Sequence, residues 1–196
     1  PLTLCQLGGF SSKHPFIQLL QYIEDRAYRR SNHLISNLKY LDKHIQSRGF
    51  STDNFHWIPN GYSQAEVNKK VPLSADVKKQ LPQGKFTIGY TGTLGVANCL
   101  DTLIEAASQL QSQTEIAFVI VGQGKQKEHL QNKVAQLTLN NVTFIDAIPK
   151  VQIQSMLAEF DVCYIGLTKD DLFHYGVSPN KLFDYFCSGK PIIYAI

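Results

Sequence analysis

Ile116-Ala-Phe-Val-Ile-Val-Gly-Gln-Gly124 is a run of six apolar residues closed by two glycines, and its reading decides the fold. A strand with one wet face alternates apolar and polar side chains. A strand that is apolar throughout is covered on both faces, the condition of a parallel sheet. The glycines end the strand, and Lys125–Leu137 continues as a helix. The same unit recurs on either side. Before it, Phe86–Tyr90 reads as a strand, 91–98 as a glycine-bearing loop and Leu100–Gln111 as a helix. After it come strand Val142–Ile145, helix Lys150–Glu159, strand Asp161–Leu167, loop 168–177, helix 179–188 and strand Pro191–Tyr194. Apolar strands alternating with helices imply an α/β domain built on a doubly wound, Rossmann-like parallel sheet. Its ligand belongs at the carboxyl ends of the strands.

Upstream the pattern is helical. Phe16, Leu19, Leu20, Ile23 and Ala27 recur at helical spacing over 16–31, and Leu38 to Arg48 reads as a second helix stopped by Gly49. Leu34–Asn37 and Phe55–Ile58 are short enough for strands, the latter closed by Pro59-Asn60-Gly61. Residues 62–84 are polar, lysine-bearing and broken by Pro72 and Pro82, the composition of a linker, with a helical turn over Ser74–Gln80. The expected organisation is an N-terminal helical segment over 1–60, a linker over 61–84 and the sheet domain over 85–196. The chain starts at Pro1 and ends within an apolar run, which reads as a piece of a longer protein whose sheet domain is cut short at its C-terminus.

Of the 196 residues, 43% are hydrophobic and 18% charged, ordinary for a globular domain. No apolar run reaches membrane-spanning length and no signal-peptide pattern is present. Cys5, Cys99, Cys163 and Cys187 have no metal-like spacing, so free thiols in a reducing cytosol are expected. The net charge of +3 is uneven: residues 1–50 carry seven Lys/Arg against three Asp/Glu, the rest twelve against thirteen. Arg26, Arg29, Arg30, Lys39, Lys43 and Arg48 make either a solvated helix face or a peripheral contact with anionic lipid head groups at the inner membrane face. No aromatic-basic motif points to nucleic acid.

The special residues cluster at the expected strand ends. Gly89-Tyr-Thr-Gly92-Thr93-Leu94-Gly95 follows the first strand, and its glycines permit N–H groups to face a phosphate; a tight strand-to-helix turn uses glycine as well. Gly122 lets a planar group lie against backbone, or assists a helix start. Asp146 is a polar cap on a base pocket, or a turn residue. The sharpest signal is Ser178-Pro-Asn180-Lys181, with Ser178 as N-cap, Pro179 at the first helical position and Gly189 as the stop. A helix start with unpaired N–H groups and a lysine in its first turn suits a phosphate, and Asp184, one turn on, suits sugar hydroxyls. His174 lies near the end of the preceding polar loop, a candidate for contact with the ligand. A solvated surface position is the alternative for Lys181 and Asp184, and an uncommitted loop position for His174. Nothing resembles a catalytic triad or a metal cluster, so the sequence names no catalytic residue and no metal ligand.

Five segments in order resemble family 4 of the retaining glycosyltransferases, which have the GT-B fold. They are Tyr28-Arg-Arg-Ser-Asn-His-Leu-Ile-Ser36, Trp57-Ile-Pro-Asn-Gly61, Tyr90–Gly95 with Leu100–Ala106, Phe118–Gly124, and Ser178–Pro191. The resemblance implies one half of a GT-B fold, the nucleotide-sugar-binding domain preceded by the end of the acceptor domain. It implies a metal-independent hexosyltransferase of bacterial polysaccharide biosynthesis with no cofactor. Its donor would be a UDP-, GDP- or other nucleoside-diphosphate sugar and its acceptor a carbohydrate or lipid-linked sugar. The donor residues would be Gly92, Thr93, Leu94, Gly95, Gly122, Asp146, His174, Ser178, Asn180, Lys181 and Asp184. Two departures stand out. Thr93 and Asn98 occupy positions where many members carry Arg and Lys, and Gly176 stands where the family has the first carboxylate of a pair whose second matches Asp184. Lys181 is then expected to carry more of the diphosphate's charge. A sugar-nucleotide epimerase of the same architecture, or a non-catalytic nucleotide-sugar-binding module, are the alternatives.

Overall fold

The computed structural model describes residues 1–68 and 70–196; Lys69, in the expected linker, lies outside the described residues. The chain divides into two compact units, residues 1–61 with 169–179, and residues 62–168 with 180–196.

The first unit holds α1 (Leu2–Gln6), α2 (Pro15–Arg30), β1 (Leu34–Ser36), α3 (Leu41–Ser47) and β2 (Phe55–Trp57). Pro15 sits at the first position of α2, and the ring of His14 accepts from the Phe16 amide at 3.2 Å and so caps the helix. β1 and β2 pair in parallel. The stripe that helical spacing selects on α2 behaves differently from a core face: Phe16, Leu19 and Ile23 are exposed, while Ile17 is buried. Arg48 grips Asp25 through both carboxylate oxygens at 2.9 and 3.1 Å, and this bidentate contact holds the Asp25 carboxyl below the usual range. A 3₁₀ turn over Asp171–Tyr175 belongs to this unit, where the Tyr175 carbonyl accepts from the Tyr40 amide.

The second unit begins with α4 (Gln64–Asn68) and α5 (Ala75–Gln80), the latter capped by the Ser74 hydroxyl on the Val77 amide. Then follow β3 (Phe86–Thr91), α6 (Leu100–Gln109), β4 (Ile116–Val121), α7 (Lys127–Gln136), β5 (Val142–Ile145), α8 (Ile153–Ala158), β6 (Val162–Gly166), α9 (Asn180–Ser188) and β7 (Ile192–Ala195). The five strands β3 to β7 form one parallel sheet in the order β5-β4-β3-β6-β7. Successive side chains of β4 go to opposite faces, as strand geometry requires. Phe118 and Ile120 join the core under α6 and α7, with Leu100, Ile104 and Leu130. Val119 and Val121 join the core under α8 and α9, with Met156, Leu157 and Tyr185. The sheet is therefore covered on both faces, and the chain reverses direction across it between β3 and β6, the switch point where such sheets open a crevice.

Candidate functional site

At the carboxyl end of β3 the backbone ladder runs past the strand. The Gly92 amide donates to the Val121 carbonyl and the Gly122 amide to the Ile145 carbonyl, at 2.9 and 3.0 Å. This brings the first two loops together so closely that a Cβ on Gly122 would stand 1.9 Å from the Gly92 carbonyl oxygen. The Gly122 glycine is thus required by loop-on-loop approach. Leu94 knits the same junction, its amide donating to the Gln123 carbonyl and its carbonyl accepting from the Gln126 amide, while its side chain is wholly buried. The amides of Thr93 and Gly95 take no acceptor from the described residues. Beside them opens a hollow of about 330 Å³ lined by Gly92, Thr93, Gly122, Gln123, Ile148 and Ile153.

Helix α9 closes the other side of β3. Lys181 and Tyr185, four residues apart, lie on one helical face, and both reach β3. The buried Tyr185 hydroxyl accepts from the Thr91 amide at 2.9 Å. The Lys181 ammonium donates to the Tyr90 hydroxyl at 2.6 Å and to Asn98 Oδ1 at 2.9 Å, and lies 4.2 Å from the Tyr90 ring centroid. Both acceptors are neutral, and among the described residues Lys181 forms no ion pair with a carboxylate. Burial alone lowers its pKa, to about 8. The Tyr90 hydroxyl is pushed above the usual range by burial and by Tyr185 and Tyr164. Gly92 borders this amine: a Cβ there would meet Lys181 Nζ at 3.2 Å. A half-buried ammonium with neutral neighbours, a glycine loop and two amides that take no acceptor are chemically suited to an anion, because no carboxylate beside the amine cancels its charge.

Other expected site residues stand as follows. Asn180 is exposed and opens α9, one residue later than the sequence pattern suggests. Gly189 stops the helix with φ +69. Asp184 is mostly buried and its carboxylate accepts from Lys150 Nζ at 2.5 and 2.6 Å. Asp146 is largely exposed; Lys127 and Gln123 donate to it, and the lysine contact lowers its pKa. His174 and Ser178 belong to the first unit, where His174 is exposed and the Ser178 carbonyl accepts from Asn60 Nδ2 at 2.9 Å. Sequence reasoning did not single out Tyr90, Tyr185 or Lys150. The two tyrosines look like core aromatics in the sequence, and Lys150 like a turn residue. Among the described residues, no group of three or more His, Cys, Asp or Glu is placed to hold a metal ion, and no helix is long and apolar enough to cross a membrane.

Comparison with known proteins bears on the family and the fold. Residues 85–195 match the family described as glycosyl transferases group 1. The chain is 29% identical over 176 residues to WcaI of Escherichia coli (strain K12), described as a candidate colanic acid biosynthesis glycosyl transferase; the match covers 83% of this chain and 41% of that protein. The crystal structure of Anabaena Alr3699/HepE in complex with UDP and glucose superposes with a TM-score of 0.69 at 19% identity, covering 94% of this chain and 50% of that one. That of WaaG, a glycosyltransferase involved in lipopolysaccharide biosynthesis, gives 0.64 at 16% identity, covering 93% and 52%. The chain thus spans about half the length of these two solved structures and 41% of WcaI. Its five-stranded parallel sheet is a Rossmann-like half of the GT-B fold. With more than half of its residues matching the family, the chain belongs to the glycosyl transferases group 1.

Proposed function

We propose that this chain carries the donor-binding part of a retaining glycosyltransferase of family 4. The whole protein would move a hexosyl group from a nucleoside-diphosphate sugar to a lipid-linked or polysaccharide acceptor. The observation that carries this reading is the Lys181 ammonium beside Gly92, held by neutral groups at the carboxyl end of β3. A cation that has no carboxylate partner is available to a diphosphate. Charge on that diphosphate grows as the glycosidic bond breaks, so the contact stabilises the transition state more than the ground state. The ammonium supports metal-independent departure of the diphosphate. The amides of Thr93 and Gly95 would share the phosphate oxygens, the hollow beside Gly122 and Ile148 would take the base, and Asp184 the ribose hydroxyls. Asn180 completes the donor set proposed for the second unit. UDP is the first nucleotide to try, because the Anabaena protein was crystallised with it. A contact of the basic N-terminal segment with an anionic membrane face is part of the same proposal, as is a cytoplasmic site of action.

Calorimetric titration with UDP, GDP and their sugars tests the reading. Saturable binding of one nucleoside diphosphate supports it; no binding by any of them, also with a complete acceptor domain present, overturns it. Sugar transfer by the chain alone is expected to be poor or nil. Lys181→Ala should weaken diphosphate binding by about 1–3 kcal/mol, and wild-type affinity in that variant would remove Lys181 from the site.

A further inference from the structure

Two neutral side chains connect Lys181 to one carbonyl. Tyr90 accepts from the ammonium and its hydroxyl donates to the Thr93 carbonyl at 2.7 Å. Asn98 repeats the arrangement with an amide: Oδ1 accepts from the ammonium, and Nδ2 donates to the same Thr93 carbonyl at 3.0 Å. The result is a closed ring of four hydrogen bonds joining α9, β3 and the loop that carries the unused Thr93 and Gly95 amides. An ammonium has three protons; the ring takes two and leaves one for a ligand. A carboxylate at either relay would hold the lysine as firmly but would cancel its charge. A phenol and an amide hold it and leave the charge to be felt.

We propose that Tyr90 and Asn98 are positioning residues for Lys181, fixing its ammonium and the amides of Thr93 and Gly95 as one preorganised receptor for a diphosphate. The proposal rests on the donor-binding reading above and goes beyond it in assigning the relays. Neither touches the reacting atoms. The charged and titratable groups facing Lys181 are few. Tyr90 from β3 is the titratable one in hydrogen-bond contact among the described residues, Asn98 from the loop is neutral, and burial is the named cause at the amine itself.

The experiment is calorimetric titration of UDP into wild type, Tyr90→Phe and Asn98→Asp between about pH 7 and pH 9.5, a range that spans deprotonation of the lysine. Wild-type affinity should fall as pH rises through about 8. Tyr90→Phe keeps the ring and loses the relay, and UDP affinity near neutrality should drop roughly ten-fold. Asn98→Asp keeps the shape and adds a charge beside the amine. It should also bind UDP roughly ten-fold more weakly, and its loss of affinity should move to higher pH by about one unit or more. A merely structural role would not move that pH profile. If wild type binds UDP and Asn98→Asp keeps both the affinity and the profile of wild type, the relay proposal is overturned while donor binding stands. If wild type binds neither UDP nor GDP, the donor reading fails and takes this one with it. Asn98 is only partly buried, so its variant decides the matter even if Tyr90→Phe does not fold.

Discussion

The Lys150 ammonium meets the Asp184 carboxylate through both oxygens, at 2.5 and 2.6 Å, tying the turn before α8 to the first half of α9. Gln154 adds a bond to the Asp184 carbonyl at 3.0 Å. These contacts fix the carboxylate at the end of the helix where Lys181 lies. A carboxylate accepts at about four lone-pair sites, so the Lys150 contacts leave room for hydroxyl donors.

That geometry separates the two halves of a nucleotide. Asp184→Ala should weaken UDP binding by about 1–2 kcal/mol and leave inorganic pyrophosphate unaffected, because only UDP has ribose hydroxyls to lose. Paired titrations with the two ligands check this; equal losses for both would deny Asp184 a sugar contact. Lys150→Met, by contrast, leaves the mostly buried Asp184 carboxylate without its ammonium, so stability should fall by about 1–3 kcal/mol.

The amine of Lys181 sets a dependence of stability on pH. Its folded pKa of about 8 lies below the ordinary 10.5. Between these values the unfolded chain binds more protons than the folded one, so stability rises with pH across that window. Below about 8 the charged amine is a standing cost to the fold. Lys181→Met should therefore raise stability near neutrality by about 1–2 kcal/mol while abolishing the rise. Urea melts of both proteins at pH 7 and at pH 9.5 check it. Tyrosine ionisation enters only above about pH 10.

Much of this was open to view in the sequence. Ile116–Val121 is a buried strand because every residue in it is apolar, and the structure covers both its faces. Gly189 ends α9 with the positive φ that its position after an apolar helix suggests. Lys181 stood out because a lone cation at the start of an apolar helix has no packing reason to be there. What holds Lys181 was not legible. Tyr90 is 91 residues away in the chain and is fully buried, so its pattern is that of any core aromatic, and only the fold brings its hydroxyl to the amine. Asn98 looked like a missing charge and is instead a relay. On α2 helical spacing selected Phe16, Leu19 and Ile23, but spacing shows which residues share a face and not what covers that face.

Tyr185 gives a prediction free of any ligand. Its hydroxyl accepts from the Thr91 amide inside the core, and burial raises its pKa above the usual range. Tyr185→Phe preserves the ring's packing but leaves the Thr91 amide buried with no acceptor. Stability should fall by about 1–3 kcal/mol, the cost of an orphaned buried donor. Chemical denaturation measures it, and amide exchange at Thr91 should accelerate in the same variant. An unchanged midpoint would mean the bond contributes nothing.

Gly122 and Gly84 both have positive φ, +149 and +67, but differ in what surrounds them. A Cβ on Gly84 meets nothing within 4 Å, so Gly84→Ala costs only backbone strain, about 1–2 kcal/mol. A Cβ on Gly122 would lie 1.9 Å from the Gly92 carbonyl oxygen, which is backbone and has no rotamer with which to retreat. Gly122→Ala must push the first loop off the second, breaking the seam through which Leu94 bonds Gln123 and Gln126. We expect a loss of at least about 3 kcal/mol, or no folded protein. If folded protein is recovered, its affinity for UDP should fall with its stability, because Thr93 and Gly95 lie on the displaced loop and Lys181 Nζ is bonded to Asn98 of that loop. Denaturant midpoints for the two alanine variants, measured together, separate steric exclusion from glycine's conformational freedom: equal losses would show that the loop contact tolerates a methyl group.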